Sequence, residues 1–266
     1  MKTIIVGAGL SGIFLSKKID NSIVLEKSNG IGGRLASRRL DGISFDHGAR
    51  EFKTPWGEET IHTPHQWIKK EAESIECIKN FEVQSLSFSE EGITVLGTKG
   101  EIQECDKLIL TSPAPQAKAI LNRSNLESSF LEEVQYSSKI QFLILANGLH
   151  PFQELDQYFD LKKTTITQDK HFFLFEMKPE KIDSFIEMDK QEIKELFLGK
   201  LDIAQIIDSH VHKWRYSEVI KSISPEFQNF HEAKSVFLAG DYFGDEGVKS
   251  AYESVQNLLL KLNGSL

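Results

Sequence analysis

The chain has 266 residues, 40% of them hydrophobic and 10% aromatic, with a formal net charge of −8. That suffices for one large or two modest packed domains, and the negative balance disfavours nucleic acid or an anionic membrane as a general partner. Cys77 and Cys105 stand far apart with no CxxC spacing, so neither a disulfide framework nor a zinc site is indicated, and a reducing, cytoplasmic setting fits.

The apolar run Thr3 to Val6 leads into Gly7-Ala8-Gly9-Leu10-Ser11-Gly12 and then a helix-like segment from Leu10 to about Ile19; a second apolar run, Ser22 to Leu25, closes with Glu26. In such a β-α-β unit the first glycine makes the turn, the second lets backbone approach a pyrophosphate, and the third lets helix pack on strand. The helix N-terminus, with Leu10 and Ser11 in its first turn, favours an anion through unpaired N–H groups and its dipole. Glu26 stands 19 positions after Gly7, where a carboxylate accepts from ribose hydroxyls and repels a 2′-phosphate. FAD or NAD therefore suits the site better than NADP. The chain continues Lys27-Ser28-Asn29-Gly30-Ile31-Gly32-Gly33-Arg34. Gly32 and Gly33 permit a second close approach of backbone to phosphate, and Arg34 offers a rigid fork of donors. Residues 1–53 carry nine Lys/Arg against five acids, a local bias expected around a pyrophosphate, and the whole stretch reads as an FAD site. The apolar start is interrupted by glycines and lacks an A-x-A cleavage pattern, unlike a signal peptide. No run approaches the ~18 apolar residues of a membrane span.

Leu40-Asp41-Gly42 signals a turn, followed by a short strand from Ile43 to Asp46; Gly48-Ala49 then lets backbone approach a flat ring. Residues 53–76 read as loop plus one short helix. Strands follow at Phe81 to Val83, Ser85 to Ser89, Ile93 to Leu96 and Lys107 to Leu110, with a turn at Gly97 to Gly100. The prolines of Leu110-Thr111-Ser112-Pro113-Ala114-Pro115-Gln116 mark a turn and a helix start. Val134 to Ala146, Gln157 to Thr167 and His171 to Met177 read as strands of a second sheet. Asp189 with Glu192 offers a capping box for a helix whose apolar face is Ile193, Leu196, Phe197 and Leu201. In Ile206 to Val219, His210, His212, Trp214 and Tyr216 share one face of a strand, and Val211, Lys213 and Arg215 the other. The His-x-His pair lacks a third ligand at recognisable spacing, so no metal is assigned. The last motif is Val236 to Tyr242, an apolar strand ending in Ala239-Gly240-Asp241, followed by a helix from Gly247 to Leu262.

The runs KSNGIGGRLASRR and FDHGAREF resemble segments of the renalase-like branch of the FAD-dependent flavin amine oxidase superfamily. The TxPxPQ run, HKWRY (210s) and Ala-Gly-Asp are similar to motifs of the same family, so the likeness extends from end to end, weakly between about 120 and 205. It implies an α/β fold: a Rossmann-like FAD-binding domain (1–52, 77–126, 232–266) with an inserted β-sheet, α+β, substrate domain (53–76, 127–231). It also implies that backbone near Val83 meets the adenine, a position that reads almost equally as strand core. Gly240 and Asp241 would serve the ribityl and phosphate groups, and the last helix, from Val248, would point its N-terminus at the flavin. The HKWRY strand would line the substrate side, with His212, Trp214, Arg215 and Tyr216 positioning a flat substrate; a solvent-facing strand stabilised by aromatic pairing is the alternative.

The implied chemistry is hydride transfer from a small dihydronicotinamide-type or amine substrate to N5 of non-covalent FAD, with oxygen as acceptor and hydrogen peroxide as product. The partners are then a small molecule, such as a nicotinamide nucleotide, and oxygen, with no nucleic acid and no membrane. Two departures stand out. The 53–76 segment is shorter than in the family, and where relatives have V-E-G-A-x-x-S-G this chain has Val248-Lys249-Ser250-Ala251-Tyr252-Glu253-Ser254-Val255. They motivate a second reading, a non-catalytic FAD-binding scaffold or sensor with a reduced substrate cap. An enzyme using NAD alone is disfavoured, because the Gly-Gly-Arg and Ala-Gly-Asp runs have no role in such a site.

Overall fold

A computed structural model describes the chain apart from residues 36, 50, 58, 150–151, 168, 232–234 and 265–266 and the side chains of 227 and 229. The first elements are β1 (Thr3–Val6), α1 (Leu10–Ser16), β2 (Ser22–Glu26), β3 (Ser37–Leu40), β4 (Ile43–Asp46), β5 (Phe52–Lys53), β6 (Thr60–Ile61) and α2 (Pro64–Glu71). There follow β7 (Cys77–Lys79), β8 (Val83–Ser89), β9 (Gly92–Gly97), β10 (Ile102–Cys105), β11 (Lys107–Leu110), α3 (Ala114–Arg123), β12 (Gln135–Asn147), β13 (Phe159–Thr167) and β14 (Lys170–Met177). The last are α4 (Pro179–Phe185), α5 (Lys190–Leu198), β15 (Ile206–Lys221), β16 (Val236–Leu238) and α6 (Val248–Leu262). The chain divides into two compact units, 1–36 with 48–135 and 218–266, and 37–47 with 136–217. These bounds differ from the expected domains: residues 53–76 cluster with the first unit, and the β3–β4 hairpin with the second.

The first unit is built on a five-stranded sheet in the order β16-β11-β1-β2-β7, every pair parallel. Its strands TIIV, KLIL and VFL are near-continuous apolar runs because sheets of this kind are covered on both faces. Leu15 of α1 and Val255 and Leu258 of α6 bury against Ile5, Val24, Ile109 and Phe237 of four neighbouring strands. The chain leaves β1 toward β2 on one side, while β11 and β16 lie on the other. The reversal puts a switch point between the ends of β1 and β11, where open sheets of this type bind ligands. A three-stranded antiparallel sheet, β10-β9-β8, completes this unit's larger elements.

The second unit is a four-stranded sheet ordered β13-β14-β12-β15. Alternation along β12 decides its two faces. Ile140, Phe142, Ile144 and Ala146 pack with Ile182 of α4 and with Ile193 and Phe197 of α5. Leu143 and Leu145 instead pack with Leu40 and Phe45 of the β3–β4 hairpin, whose Phe45 stacks on Phe172 at 4.0 Å. The expected capping box is present at Asp189, which accepts from the Gln191 amide while the Glu192 carboxylate accepts from the Asp189 amide. Leu196, expected on the buried face of that helix, is instead 44% exposed, because Ile193 and Phe197 already fill the contact line on the sheet. Helix α1 ends at Ser16, short of Ile19, and the strand expected from Phe81 starts at Val83. Among the described residues no helix is long and apolar enough to cross a membrane.

Candidate functional site

At the switch point of the first unit the glycine turn is held from two sides. A Cβ on Gly12 would lie 1.9 Å from the Gly7 carbonyl oxygen, so only glycine lets α1 start this close to β1. Thr111, directly after β11, donates its hydroxyl to the carbonyls of Val6 (2.9 Å) and Gly7 (3.1 Å). The turn motif and the TSPAPQ run are thus one assembly. A Cβ on Gly9, by contrast, would meet nothing within 4 Å; this is the open side of the turn, next to the N-terminus of α1. Ser11 is buried, with its hydroxyl toward the Ala251 carbonyl at 3.5 Å.

Glu26 is 9% exposed at the end of β2. Its Oε2 accepts from the Ala8 amide at 2.8 Å, and its Oε1 from the Ser28 amide at 2.8 Å and hydroxyl at 2.7 Å. A carboxylate offers about four acceptor sites, so the Oε2 side retains capacity for a ribose hydroxyl while the protein fixes its orientation. Lys27 is exposed and plays no part in holding Glu26; Ser28 does. The Phe81 amide donates to the Glu26 carbonyl at 3.0 Å, which brings the chain leading to the buried Val83 alongside the acid.

The Gly-Gly-Arg run folds back onto the first turn. Gly32 donates its amide to the Ala8 carbonyl at 2.7 Å. Gly33 has φ +56° and sits so close that a Cβ would lie 3.2 Å from the Gly9 Cα. Arg34 then reaches Asp241, Nη1 to Oδ2 at 2.6 Å, and the Asp241 side chain is only 5% exposed. Gly240 donates its amide to the Ser254 hydroxyl at 3.0 Å, and Gln228 donates to the same hydroxyl at 2.8 Å, so α6 anchors the Gly240-Asp241 turn. The Ala49 amide donates to the Arg34 carbonyl at 2.8 Å, next to Gly48. Leu10, Ala49 and Val248 pack in one apolar cluster with Ile13, Leu35 and Ala251. The expected cofactor residues from three distant parts of the sequence therefore meet in one place. An oriented carboxylate, an open glycine face beside a helix N-terminus and a paired Arg34–Asp241 clasp fit a dinucleotide with a pyrophosphate and two sugar-like chains. Lys249 is exposed and paired with Glu246 at 2.9 Å.

In the second unit, His212 and Trp214 lie 4.2 Å apart between ring centroids, and His47, just past β4, lies 4.6 Å from His212 and 5.4 Å from Trp214. His210 is 6.1 Å further along the row. The Gln141 carbonyl oxygen accepts from Trp214 Nε1 at 2.9 Å and lies 3.4 Å from His47 Nδ1. Burial lowers the His47 pKa to about 4, the Gln141 hydrogen bond opposes this, and the positive charges of Arg38 and Lys190 reinforce it. Burial likewise pushes His210 down to about 4 and His212 to about 2. The imidazoles are neutral across the physiological range. Arg215 is not part of this group: it points to the other face of the strand and makes two hydrogen bonds to Glu187, both 3.1 Å. Tyr216 packs edge-on to Tyr136 at 5.4 Å. Among the described residues no group of three His, Cys, Asp or Glu is placed to hold a metal ion.

His47, Gln141, Thr111 and Ser28 are the site residues that sequence reading passes over. Gln141 does leave a trace, as the lone amide inside the buried run Ile140 to Ala146, where an unpaired polar group would be costly.

Residues 5–63 match the family model of the NAD(P)-binding Rossmann-like domain. No curated protein matches the chain in sequence. Among solved structures, a provisionally assigned protoporphyrinogen oxidase from Exiguobacterium sp. 255-15 superposes with a TM-score of 0.71 at 10% identity, over 100% of this chain and 99% of that one. A putrescine oxidase redesigned in its cofactor binding gives 0.64 at 11% identity, over 100% and 99%. A fatty acid isomerase from P. acnes gives 0.63 at 10%, over 98% of both. At such identities the likeness speaks for architecture, and one of the three is an isomerase. Over its whole length this chain has the fold shared by these oxidases and this isomerase, with a Rossmann-like dinucleotide-binding domain at its start.

Proposed function

We propose that the chain is an FAD-dependent oxidoreductase of the renalase-like kind, oxidising a small dihydronicotinamide-type or amine substrate, with oxygen as final acceptor and hydrogen peroxide as product. The observation that carries this reading is the double layer of the first unit's site. The Gly33 backbone lies on Gly9, and Arg34 is clasped to Asp241. A site for NAD alone needs only the first layer. The oriented Glu26 carboxylate holds the adenosine ribose, the amides of α1 and the glycine turn bind the pyrophosphate, and Asp241 with Gly240 binds the ribityl side. FAD, when bound, supplies the hydride acceptor and the route to oxygen. His212 and Trp214 orient the flat ring of the substrate by stacking and hydrogen bonding. Because the imidazoles are neutral, this face suits an uncharged ring.

Anaerobic addition of NADH, NADPH and their non-standard isomers to the yellow protein tests this. Bleaching by one donor and recovery in air with release of peroxide is the expected result. A Trp214→Ala variant reduced as fast as wild type would remove Trp214 from the substrate face. A yellow protein that no donor bleaches would favour the scaffold or sensor reading.

A further inference from the structure

The hydrogen positions of the histidine–tryptophan cluster follow from its geometry. An indole nitrogen can only donate, so the Gln141 atom 2.9 Å from Trp214 Nε1 is the carbonyl oxygen, and this sets the orientation of the amide. The same oxygen lies 3.4 Å from His47 Nδ1. Since that oxygen accepts and never donates, His47 carries its proton on Nδ1, and Nε2 of the neutral ring is an acceptor. Gln141 is 5% and His47 3% exposed, so water does not compete for these bonds.

We propose that Gln141 is a positioning residue of the substrate face. Its one carbonyl oxygen holds the Trp214 indole and the Nδ1–H tautomer of His47, and through these rings it fixes the orientation of His212. The proposal rests on the assignment of His212 and Trp214 to substrate binding. It adds a specificity element: three uncharged imidazoles and an indole suit an uncharged planar group. The charged groups acting on His47 are Arg38 of β3 and Lys190 of α5, both positive, so they reinforce burial, and the Gln141 hydrogen bond opposes it.

The test is a nitrogen-15 NMR spectrum of the full-length protein labelled at histidine, on wild type, Gln141→Leu and Gln141→Glu. Wild-type His47 is expected as the Nδ1–H tautomer. The leucine variant should lose that preference and lower kcat/KM for the donor about tenfold, since the shared acceptor of the Trp214 and His47 hydrogen bonds is removed. The glutamate variant keeps an acceptor in place, so it should retain the tautomer, raise the His47 pKa into the range pH 5–8, and make kcat/KM pH-dependent there. An Nε2–H tautomer in wild type overturns the proposal without need of any variant, as does a Gln141→Leu protein whose His47 tautomer is unchanged. The spectroscopic arm needs no turnover. The expected tautomer in a protein that oxidises no donor leaves Gln141's hold on the two rings standing and overturns only the functional reading.

Discussion

Replacing Gly9 by alanine should act in opposite directions on the empty fold and on cofactor binding. Gly9 has φ −82° and ψ −173°, an extended conformation that alanine adopts without strain, and the added Cβ meets nothing within 4 Å. The apoprotein should therefore keep its stability or gain roughly 0.4–1 kcal/mol through a less flexible unfolded chain. The same methyl occupies the open side of the turn, where a pyrophosphate would approach the first amides of α1. Losing a charge-assisted hydrogen bond there costs about 1.5–3 kcal/mol, or roughly 10- to 100-fold in Kd. Urea unfolding of the apoprotein reads the first quantity, and titration of FAD followed by quenching of flavin fluorescence reads the second. An FAD affinity within threefold of wild type would refute the placement of the pyrophosphate at Gly9. An apoprotein destabilised by more than about 1.5 kcal/mol would refute the local geometry.

Gly12→Ala should behave in the reverse way, because its Cβ collides with the Gly7 carbonyl at 1.9 Å; overpacking of this kind costs typically 1–3 kcal/mol, visible as a lower urea midpoint before any cofactor is added. Thr111→Val removes the hydroxyl that donates to Val6 and Gly7 and should cost about 1 kcal/mol in the same assay. Arg34→Met strands the Asp241 carboxylate. Because Arg34 is 32% exposed, water compensates in part, and a loss of about 1–2 kcal/mol is expected, below that of a fully buried pair, together with weaker FAD binding. Stability should also fall in acid. His47 has its pKa lowered from 6.5 to about 4, so between those values the unfolded chain binds the proton more readily. The stabilisation is complete above pH 6.5 and is lost as pH falls toward 4, with a magnitude on the order of 3 kcal/mol. A His47→Gln variant whose urea midpoint keeps the wild-type slope over that window would contradict this.

The first 34 residues were the most legible part of the chain, because the chemistry of a β-α-β phosphate turn is written in adjacent positions. β1 from Thr3 to Val6 and β2 closing on Glu26 fall where the apolar runs place them. Alternation also located β12 to β15 within a residue or two at most ends. What stayed hidden depends on distant pairing. Nothing near Gly33 announces that its backbone rests on Gly9, or that Arg34 finds Asp241 more than 200 positions away. His47 and Gln141 are 94 positions apart and become partners only when the β3–β4 hairpin lies on the β12 sheet. Arg215 lies among the aromatic residues of HKWRY, yet alternation puts it on the opposite face from Trp214, where Glu187 takes it. Leu196 fits a helical stripe, but the contact line of α5 is narrow and leaves it in solvent.

The most direct test of the central claim is the visible absorption spectrum of the purified protein reconstituted with FAD, with the flavin then released by denaturation and identified. The double-layered site predicts one tightly held FAD per chain, weakened in Gly9→Ala and Arg34→Met. A colourless protein that takes up no FAD, or one that binds NAD with equal affinity in wild type and in Arg34→Met, would contradict it.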